Sequence, residues 1–442
     1  MIRSVLLRGS ALLALTAFTA AAQQRPPIRQ LGAVTSKSAE TFANLVGIRP
    51  LSNGAVLVND VAGRRVIMFD PALSKFTLVA DSTSATSNAY SGRMGSLVAF
   101  RADSSVFIDP GSVSMLVIDP AGKVARVMAI PRAEDAMAIG NPFNATAFDA
   151  TGRLIYRMGG GRFGGGGANV RTIVGGPGGA GGAGRLPQIP EPPDSAFIAR
   201  VDLASRKVDT VGVIRIPKVK FEVKSDDRGM SMSSLINPLP VVDDWAITPD
   251  GAIAFVRGRD YHVDWLNPDG TRVTSAKIPF DWQRLTDEDK VAFIDSVKAA
   301  RERQGANAPN PSGAPNLGGG MTQNIQIFTA PGGGPGGPGG AAPRPPQLEV
   351  NFIPPTDLPD YKPPFFANST RADLEGNLWI RTIPTSAIAG GPVYDVINRK
   401  GEIVERVQIP VGRSIVGFGP GGAVYLLNRD GATSTLEKAS VR

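Results

Sequence analysis

The sequence predicts an all-β fold, a six-bladed β-propeller in which an N-terminal strand closes the last blade. Three observations support this prediction: short apolar stretches recur, each follows a small turn residue, and their spacing matches the length of a blade. The stretches are rich in β-branched and aromatic residues, which is typical of strands. They lie at positions 55–58, 106–108, 154–156, 253–256, 378–380 and 424–426.

The spacing of the turn residues indicates six repeats. Three neighbouring pairs lie 51, 47 and 46 residues apart, and a blade of four strands needs roughly 40–50 residues. Two longer intervals, of 99 and 125 residues, contain visible insertions. The turn residues are Gly54, Ser105, Gly152, Gly251, Gly376 and Gly422.

Most repeats continue with a second strand that ends at an Asp or Asn turn, because these side chains bond to the turn backbone. Examples of the turn residues are Asp70, Asp119, Asp202, Asn267 and Asn398. The last repeat is short, and only residues 435–441 remain for a further strand. Residues 28–34 precede the first repeat and are predicted to supply the missing outer strand, which removes an exposed edge and closes the ring.

The insertions are of two kinds. Residues 159–184 and 305–348 are rich in glycine and proline, and we expect loops that project from one end of the ring. Residues 286–304 form the one predicted helix, with Thr286 as N-cap and acidic residues in the first turn. Val291, Ile294 and Val297 are expected to share its apolar face, which packs on the end of the ring.

Composition indicates an exported chain. Residues 1–22 have a basic flank, an apolar run and a small-residue cleavage site near Ala22, which are the features of a secretory signal peptide. Residues 23–442 then form the propeller, located in the periplasm or secreted. The apolar run is too short for a membrane span, and no later run is long enough. The absence of cysteine excludes disulfides and thiolate metal sites.

The net charge of +8 comes from scattered Lys and Arg residues. Nucleic-acid-binding proteins usually gather these residues into a patch, so we expect no nucleic-acid partner.

One repeat has a recognisable motif. Residues 54–60 and 64–71 (Gly-Ala-Val-Leu-Val-Asn-Asp and Arg-Arg-Val-Ile-Met-Phe-Asp-Pro) resemble an NHL-type repeat, and residues 376–380 are the next best match. The overall plan is similar to six-bladed propellers of the NHL and TolB-like group found in exported bacterial proteins. Such propellers include binding platforms, sugar lactonases and lyases, so the resemblance does not choose a chemistry.

The resemblance to gluconolactonase-like propellers suggests where a metal would lie, since those proteins hold a divalent ion on the ring axis with Asn, Asp and Glu side chains. Counting eight residues back from the turn glycines finds Asn144, Asp243 and Asn368 in three neighbouring blades. Their oxygens would suit Ca²⁺ or Mg²⁺. The competing interpretation is that these Asn and Asp side chains only stabilise turns and strand starts, in which case no cofactor is expected.

Two further groups of residues are candidates for a functional site. Tyr90, Arg93 and Arg413 precede inner strands, and the two arginines could bind an anionic ligand at the same mouth. The single histidine, His262, lies in a strand without a nucleophile elbow, and one His without Cys excludes a multi-histidine zinc site.

These observations favour a binding module for a protein, peptide or glycan ligand at the channel mouth, with no catalytic residue identified. The alternative is a divalent-metal-dependent hydrolase or lyase of the lactonase-like class. A third hypothesis is a surface or assembly component that interacts through its Gly/Pro-rich loops.

Overall fold

A computed structural model describes most of the chain. The described residues are 25–83, 88–92, 95–159, 193–218, 220–226, 229–304, 351–386, 388–431 and 433–441. The predicted signal peptide and most of the Gly/Pro-rich insertions lie outside these residues.

Six antiparallel sheets form the blades of a propeller, as the sequence predicts. Blade 1 contains β3 (Leu45–Pro50), β4 (Val56–Asp60), β5 (Arg65–Phe69) and β6 (Phe76–Asp81). Blade 2 contains β7 (Ser96–Ala99), β8 (Ser105–Asp109), β9 (Ser114–Ile118) and β10 (Val124–Ala129). Blade 3 contains β11 (Thr146–Phe148), β12 (Leu154–Arg157), β13 (Ser195–Val201) and β14 (Val208–Arg215).

The remaining blades follow the same order, with the innermost strand first. Blade 4 contains β17 (Asp244–Ile247), β18 (Ile253–Arg257), β19 (His262–Leu266) and β20 (Arg272–Thr274). Blade 5 contains β22 (Phe365–Ala372), β23 (Leu378–Thr382), β24 (Val393–Ile397) and β25 (Ile403–Gln408). Blade 6 contains β26 (Arg413–Gly419), β27 (Ala423–Asp430), β28 (Thr433–Ser440) and β2 (Val34–Lys37).

The N-terminal segment closes the ring, and it does so with two strands. β2 pairs antiparallel with β28 and supplies the outer strand of blade 6. The predicted strand at 28–34 therefore lies a few residues too early. Part of it forms β1 (Ile28–Gln30), which pairs in parallel with β25 as a fifth strand of blade 5. The N-terminal segment thus joins the last two blades.

Apolar clusters fill the spaces between neighbouring blades. Separate clusters lie between blades 1 and 2, 2 and 3, 3 and 4, 4 and 5, and 5 and 6. A further cluster joins blade 6 to blade 1, where Tyr425 and Leu436 pack with Val58 and Ile67. Burial of such side chains stabilises the fold by about 1.5–3 kcal/mol each. Because the first and last blades share a cluster, the ring is closed by packing as well as by strand pairing.

The two ends of the ring differ in their connections. At one end, first strands connect to second strands in all six blades, and third strands connect to fourth strands in blades 1 to 5, through turns of three to six residues. Asp and Asn side chains bond to many of these turns; for example, Asp149 Oδ1 accepts the N–H groups of Thr151 and Arg153 at 3.0 and 2.9 Å. The long connections, of residues 158–194, 216–243 and 275–364 among others, join strand ends that lie at the other end. We call this end the insertion face.

The insertions add secondary structure at this face that the sequence analysis only partly anticipated. The predicted helix is present as α2 (Asp287–Gln304), and a short helix, α1 (Ala136–Ile139), precedes blade 3. A three-stranded sheet of β15 (Lys220–Asp226), β16 (Gly229–Ile236) and β21 (Asn351–Phe352) was not predicted. Its β16–β21 pairing is parallel and links segments far apart in the sequence.

Helix α2 packs on the insertion face, but with a different face from the predicted one. Ile294 and Val297 are buried, whereas Val291 is 47% exposed. Lys290 takes the inward position instead, since its stem is buried and its Nζ donates to Asp360 Oδ1 at 2.8 Å. Ile294 belongs to an apolar cluster drawn from three connections of this face, which includes Leu239, Leu285, Ile353, Leu358 and Ile383.

No helix among the described residues has both the length and the hydrophobicity to cross a membrane.

Candidate functional site

The innermost strands of the six blades begin at the insertion face, and the site residues predicted from the turn count lie there. Asn144 precedes β11, Asp243 precedes β17, and Asn368 lies within β22. The three residues therefore belong to neighbouring blades, as expected. Their side chains have different hydrogen-bond partners.

Asn144 links helix α1 to the end of β12. Its Nδ2 donates to the carbonyl oxygen of Ala138 at 3.3 Å. Its Oδ1 accepts a hydrogen bond from Nη2 of Arg157 at 2.5 Å. The Asn144 side chain thus positions an arginine that the sequence analysis did not consider.

Asp243 joins blades 3 and 4. Its Oδ2 accepts from Arg257 Nη1 at 2.9 Å and from the backbone N–H of Arg215 at 3.0 Å. Its Oδ1 accepts from the backbone N–H of Gly258 at 3.2 Å. Arg257 is also bound by Asp264, whose Oδ2 accepts from Nε at 2.8 Å. These contacts give Asp243 a structural role between the blades.

Asn368 lies at an irregular point of the innermost strand of blade 5. Its φ of 55° is in the left-handed region, where Asn is one of the few tolerated side chains. The register between β22 and β23 shifts between Phe365 and Thr370, so the residues between them bulge. The bulge turns the backbone N–H groups of Ser369 and Thr370 toward Asp244, whose Oδ2 accepts both at 2.7 and 2.8 Å.

Asp244 is the acidic residue that connects blades 4 and 5, one position after the predicted Asp243. Its carboxyl is buried, and Oδ1 accepts the N–H of Trp245 at 2.9 Å. Burial raises the pKa of Asp244, although the hydrogen bonds from Thr370, Trp245 and Ser369 act in the opposite direction. The sequence contains one signal for the role of Asp244, namely that it follows Asp243 directly. Because successive residues of a strand face opposite sides, two adjacent Asp residues contact different blades.

Arg157, at the end of β12, is the second residue that the sequence analysis missed. Burial lowers its pKa, and the nearby charge of Asp244 acts in the opposite direction. Yet no carboxylate lies within 4.0 Å of its guanidinium among the described residues. Arg157 is therefore a partly desolvated cation without a close ion-pair partner in the described part of the chain.

Arg381 lies opposite the bulge, at the end of the second strand of blade 5. Its guanidinium carbon is 5.0 Å from the ring centre of Phe366, which is a cation–π distance. Its Nε is buried without a described hydrogen-bond partner, and so is the hydroxyl of Ser369 in the bulge. We call Asn144, Arg157, Asp244, Asn368, Ser369 and Arg381 the mouth cluster.

Of the two arginines predicted to bind an anion, Arg93 lies outside the described residues. Arg413 forms a bidentate ion pair with Glu437, with distances of 2.6 and 3.3 Å, and Asn428 donates to the same carboxylate. Tyr90 is buried against Phe107 at 4.9 Å between ring centres. Burial, aided by Asp109 and Asp60, raises the pKa of Tyr90 to about 12.

His262 lies at the start of β19, the third strand of blade 4. Its Nδ1 is 3.0 Å from Asp260 Oδ1, and its Nε2 is 3.4 Å from Asp264 Oδ1. The imidazole is therefore held between two carboxylates, away from the innermost strands.

The described geometry does not favour a shared cation site at Asn144, Asp243 and Asn368. Asn144 Oδ1 accepts from Arg157, and both oxygens of Asp243 accept from N–H donors. A divalent ion would have to displace these bonds and lie beside guanidinium groups. No group of three or more His, Cys, Asp or Glu side chains in the described residues has a metal-binding arrangement. The metal role remains a prediction.

Comparison with known proteins finds no matching family model and no matching curated protein. Solved structures give low-similarity matches over most of the chain. They include a gluconolactonase from Xanthomonas campestris, with 10% identity over 95% of this chain and 99% of that one, and a TM-score of 0.38. A calcium-binding protein, regucalcin, from Agrobacterium tumefaciens has 12% identity over 94% and 98%, and a TM-score of 0.40.

A third match is virginiamycin B lyase from Staphylococcus aureus, with 11% identity over 94% of this chain and 88% of that one, and a TM-score of 0.33. At these identities and TM-scores, the matches carry no argument about chemistry. The assignment of six blades rests on the strand pairing of this chain itself.

The mouth cluster is polar and, in the described part of the chain, contains more hydrogen-bond donors than acceptors that are free of protein partners. Two guanidinium groups lie on either side of blade 4, and neither has a carboxylate partner among the described residues. The intervening carboxyl of Asp244 is bonded to backbone N–H groups and has a raised pKa.

Proposed function

We propose that this chain is exported and acts as a binding propeller, whose insertion face recognises a protein, peptide or glycan ligand. The observation that supports this most directly is the asymmetry of the ring. Every long connection belongs to the insertion face, while the opposite end has turns of three to six residues. Recognition residues commonly lie on loops that a rigid scaffold positions.

Exposed apolar side chains follow the same asymmetry. Among the large hydrophobic residues that are exposed and lie in connections between blade strands, those of the insertion face are Val113, Met137, Phe143, Trp282, Val291, Tyr361 and Val411. The opposite end has Leu374. Exposed apolar groups with a polar surrounding are typical of interaction surfaces. The mouth cluster supplies the polar groups that would orient a ligand there.

The proposal is tested by screening purified protein of residues 23–442 against glycan and peptide arrays. A captured ligand is then measured against two matched variants, Phe143→Ser and Leu374→Ser, whose side chains are 45% and 50% exposed at opposite ends of the ring. We expect Phe143→Ser to weaken capture and Leu374→Ser to leave it unchanged. Capture that only Leu374→Ser weakens, or an absence of capture, would overturn the proposal.

Export is tested separately. When the full chain is expressed in a Gram-negative host, the mature protein should be found outside the cytoplasm and begin near Gln23. An intact Met1 on the folded protein would contradict the proposed signal peptide.

The alternative function, a divalent-metal-dependent hydrolase or lyase, keeps one supporting observation. Asn144 and Asn368 both lie at the insertion face around the buried Asp244, whose pKa is raised as in many acid catalysts. Calorimetry with Ca²⁺ and Mg²⁺ tests it on wild type and on Asn144→Ala and Asn368→Ala variants. Heat of binding that disappears in both variants would favour the enzyme, and no heat in the wild type would remove its mechanism.

A further inference from the structure

The long connection between blades 4 and 5 contains a short antiparallel ladder on the insertion face. Arg284 and Tyr361 are bridge partners in this ladder. Backbone hydrogen bonds donated by Leu285 at 2.8 Å and by Lys362 at 3.0 Å flank the bridge on its two sides. This pattern is that of a non-hydrogen-bonded antiparallel pair, in which the two side chains project to the same side and lie close together.

Trp282 belongs to the same side of the ladder. It lies two positions before Arg284, and side chains at this spacing face the same way along an extended segment. Exposure alternates accordingly, since Trp282 and Arg284 are exposed whereas Gln283 is half-buried and Leu285 is buried. Trp282 is therefore a diagonal neighbour of Tyr361, within the reach of aromatic side chains. We call Trp282, Arg284 and Tyr361 the aromatic platform.

The indole of the platform is anchored to the core of the ring. Trp282 and Phe280 contact each other edge to face, with 5.2 Å between ring centres and 82° between ring planes. Phe280 in turn meets Tyr261 edge to face at 6.0 Å. Tyr261 is buried in the apolar cluster between blades 4 and 5. An exposed side chain that is already held in this way loses little rotamer freedom when a ligand binds.

The polar groups of the platform are not used within the described part of the chain. Its indole N–H, guanidinium and phenol hydroxyl form no hydrogen bond or ion pair there. The carboxylates adjacent to it in sequence have cationic partners of their own. Asp281 accepts from Arg25 at 2.8 Å, and Asp360 accepts from Lys290 at 2.8 Å. The platform thus combines two exposed aromatic rings with polar groups that are available to a ligand.

This combination matches the two surfaces of a sugar. A pyranose ring has faces formed by C–H groups, which pack against aromatic rings, and a rim of hydroxyls that both donate and accept hydrogen bonds. The guanidinium and indole donate, and a phenol hydroxyl does both. A proline-rich peptide is a poorer match, because such peptides are bound in grooves lined by aromatic rings, whereas these rings project from one side of a ladder.

We propose that the aromatic platform binds a pyranose unit of a glycan, with Trp282 and Tyr361 as the stacking residues and Arg284 as a donor to sugar hydroxyls. This inference rests on the proposed binding function and specifies its ligand class. It locates recognition on the connection between blades 4 and 5. No covalent step is involved.

Tryptophan fluorescence provides a direct test on the protein of residues 23–442. Of the four tryptophans, all of them within the described residues, only Trp282 is exposed, at 42%, and the other three are 2–4% exposed. Cellohexaose, maltohexaose and hexa-N-acetylchitohexaose are the probes, with decaproline as the comparison ligand. We expect at least one hexasaccharide to shift the emission and to protect it from acrylamide quenching, and decaproline to do neither.

Calorimetry with the hexasaccharide that binds then compares variants. Trp282→Ala, Tyr361→Ala and Arg284→Gln are the test variants. Phe76→Ala is the matched control, because Phe76 is an aromatic residue of similar exposure, at 37%, in the outer strand of blade 1. We expect Phe76→Ala to bind like the wild type, and each alanine variant of the platform to bind at least about tenfold more weakly, which corresponds to about 1.4 kcal/mol. Arg284→Gln should also weaken binding, and Tyr361→Phe should retain more affinity than Tyr361→Ala.

Three outcomes would overturn the inference: no binding of any hexasaccharide, equal affinity in the wild type and in both alanine variants, or tighter binding of decaproline than of the sugars. The proposed function can fail or survive independently. A ligand from the arrays whose capture depends on Phe143 but on neither Trp282 nor Tyr361 would retain the insertion face as the binding surface and reject the sugar platform. Hexasaccharide binding that Trp282→Ala abolishes, without any array ligand, would do the reverse.

Discussion

Closure of the ring by the N-terminal segment can be tested at a single atom. The backbone N–H of Gly32 donates to the carbonyl oxygen of Ser440 at 3.0 Å, between β1 and β2. A Cβ atom at position 32 would lie 2.5 Å from that oxygen. Its neighbour Leu31 is 8% exposed and packs in the same apolar cluster as Trp379. Gly32→Ala should therefore push the segment away from blade 6.

The size of the effect follows from the contact. Real Cβ atoms do not approach within 3.0 Å of such a neighbour, and here the neighbour is backbone, so the strand rather than a side chain must move. Overpacking of this kind costs about 1–3 kcal/mol, and loss of the hydrogen bond costs about 1 kcal/mol. We expect the free energy of unfolding to fall by about 1–3 kcal/mol, since relaxation offsets part of the sum.

Gly47→Ala is the matched control. Gly47 lies in β3, and a Cβ there has nothing within 4 Å. Its φ is not in the left-handed region. Replacing a glycine under these conditions leaves stability unchanged or raises it by about 0.4–1 kcal/mol, because the unfolded chain loses freedom.

Both variants are measured by equilibrium urea unfolding followed through tryptophan fluorescence. The expected result is a lower midpoint for Gly32→Ala, an equal or higher midpoint for Gly47→Ala, and unchanged slopes. Hydrogen exchange should also become faster in β2 of Gly32→Ala. Equal midpoints for the two variants, with β2 still protected, would refute the view that this segment closes the ring through its contact with Ser440.

Three further predictions concern other parts of the chain. Tyr261→Phe should leave the melting temperature unchanged or raise it, and should raise the free energy of unfolding by up to about 1–2 kcal/mol, because the buried hydroxyl has no hydrogen-bond partner among the described residues. A clear loss of stability would show that the hydroxyl is hydrogen-bonded. Thr286→Ala should cost about 1 kcal/mol and speed exchange in α2, because Thr286 Oγ1 caps the N–H of Asp289 at 3.2 Å; unchanged exchange would contradict this. For Asp109, burial acts to raise the pKa, but hydrogen bonds such as that from Ser112 together lower it. Its stabilisation is therefore present at neutral pH and is lost as pH falls through the lowered pKa. The gap in urea midpoint between wild type and Asp109→Asn should shrink between pH 7 and about pH 3.5, and a constant gap would reject the role of the charge.

The blades were predictable from the sequence because their signals are local. Each repeat has its own turn residues and alternating strands, and its neighbours lie close in the chain. The pairing of β1 with β25 joins Ile28 to Arg406, and no local pattern marks it. The same reason explains why β15, β16 and β21 were missed, since β21 pairs with a strand more than a hundred residues earlier.

The places of the predicted site residues in the fold followed from the sequence, but their contacts did not. The turn count located Asn144 and Asn368 at the insertion face, yet it selected Asp243 where Asp244 makes the contact between blades 4 and 5. In a strand, a shift of one position reverses the side that a residue faces. Arg157 was missed because the count considered only innermost strands, whereas Arg157 ends a second strand, and its burial depends on neighbouring blades.

The last prediction concerns Arg157 and Arg257, whose substitutions should affect the free energy of unfolding differently. Each of these residues ends the second strand of its blade, but only Arg257 has ion-pair partners among the described residues. Arg257→Gln should lower the free energy of unfolding by about 1.5–3 kcal/mol, because it leaves Asp243 and Asp264 without their charged donor.

Arg157→Gln should leave stability unchanged or increase it, since it removes a partly desolvated charge that the described protein does not neutralise. Residues retained for binding commonly have this property, because a group that awaits a ligand is not satisfied by the fold. Thermal unfolding of both variants compares the two roles directly. If Arg157→Gln destabilises the protein as much as Arg257→Gln does, then Arg157 is a structural residue that maintains the contact with Asn144.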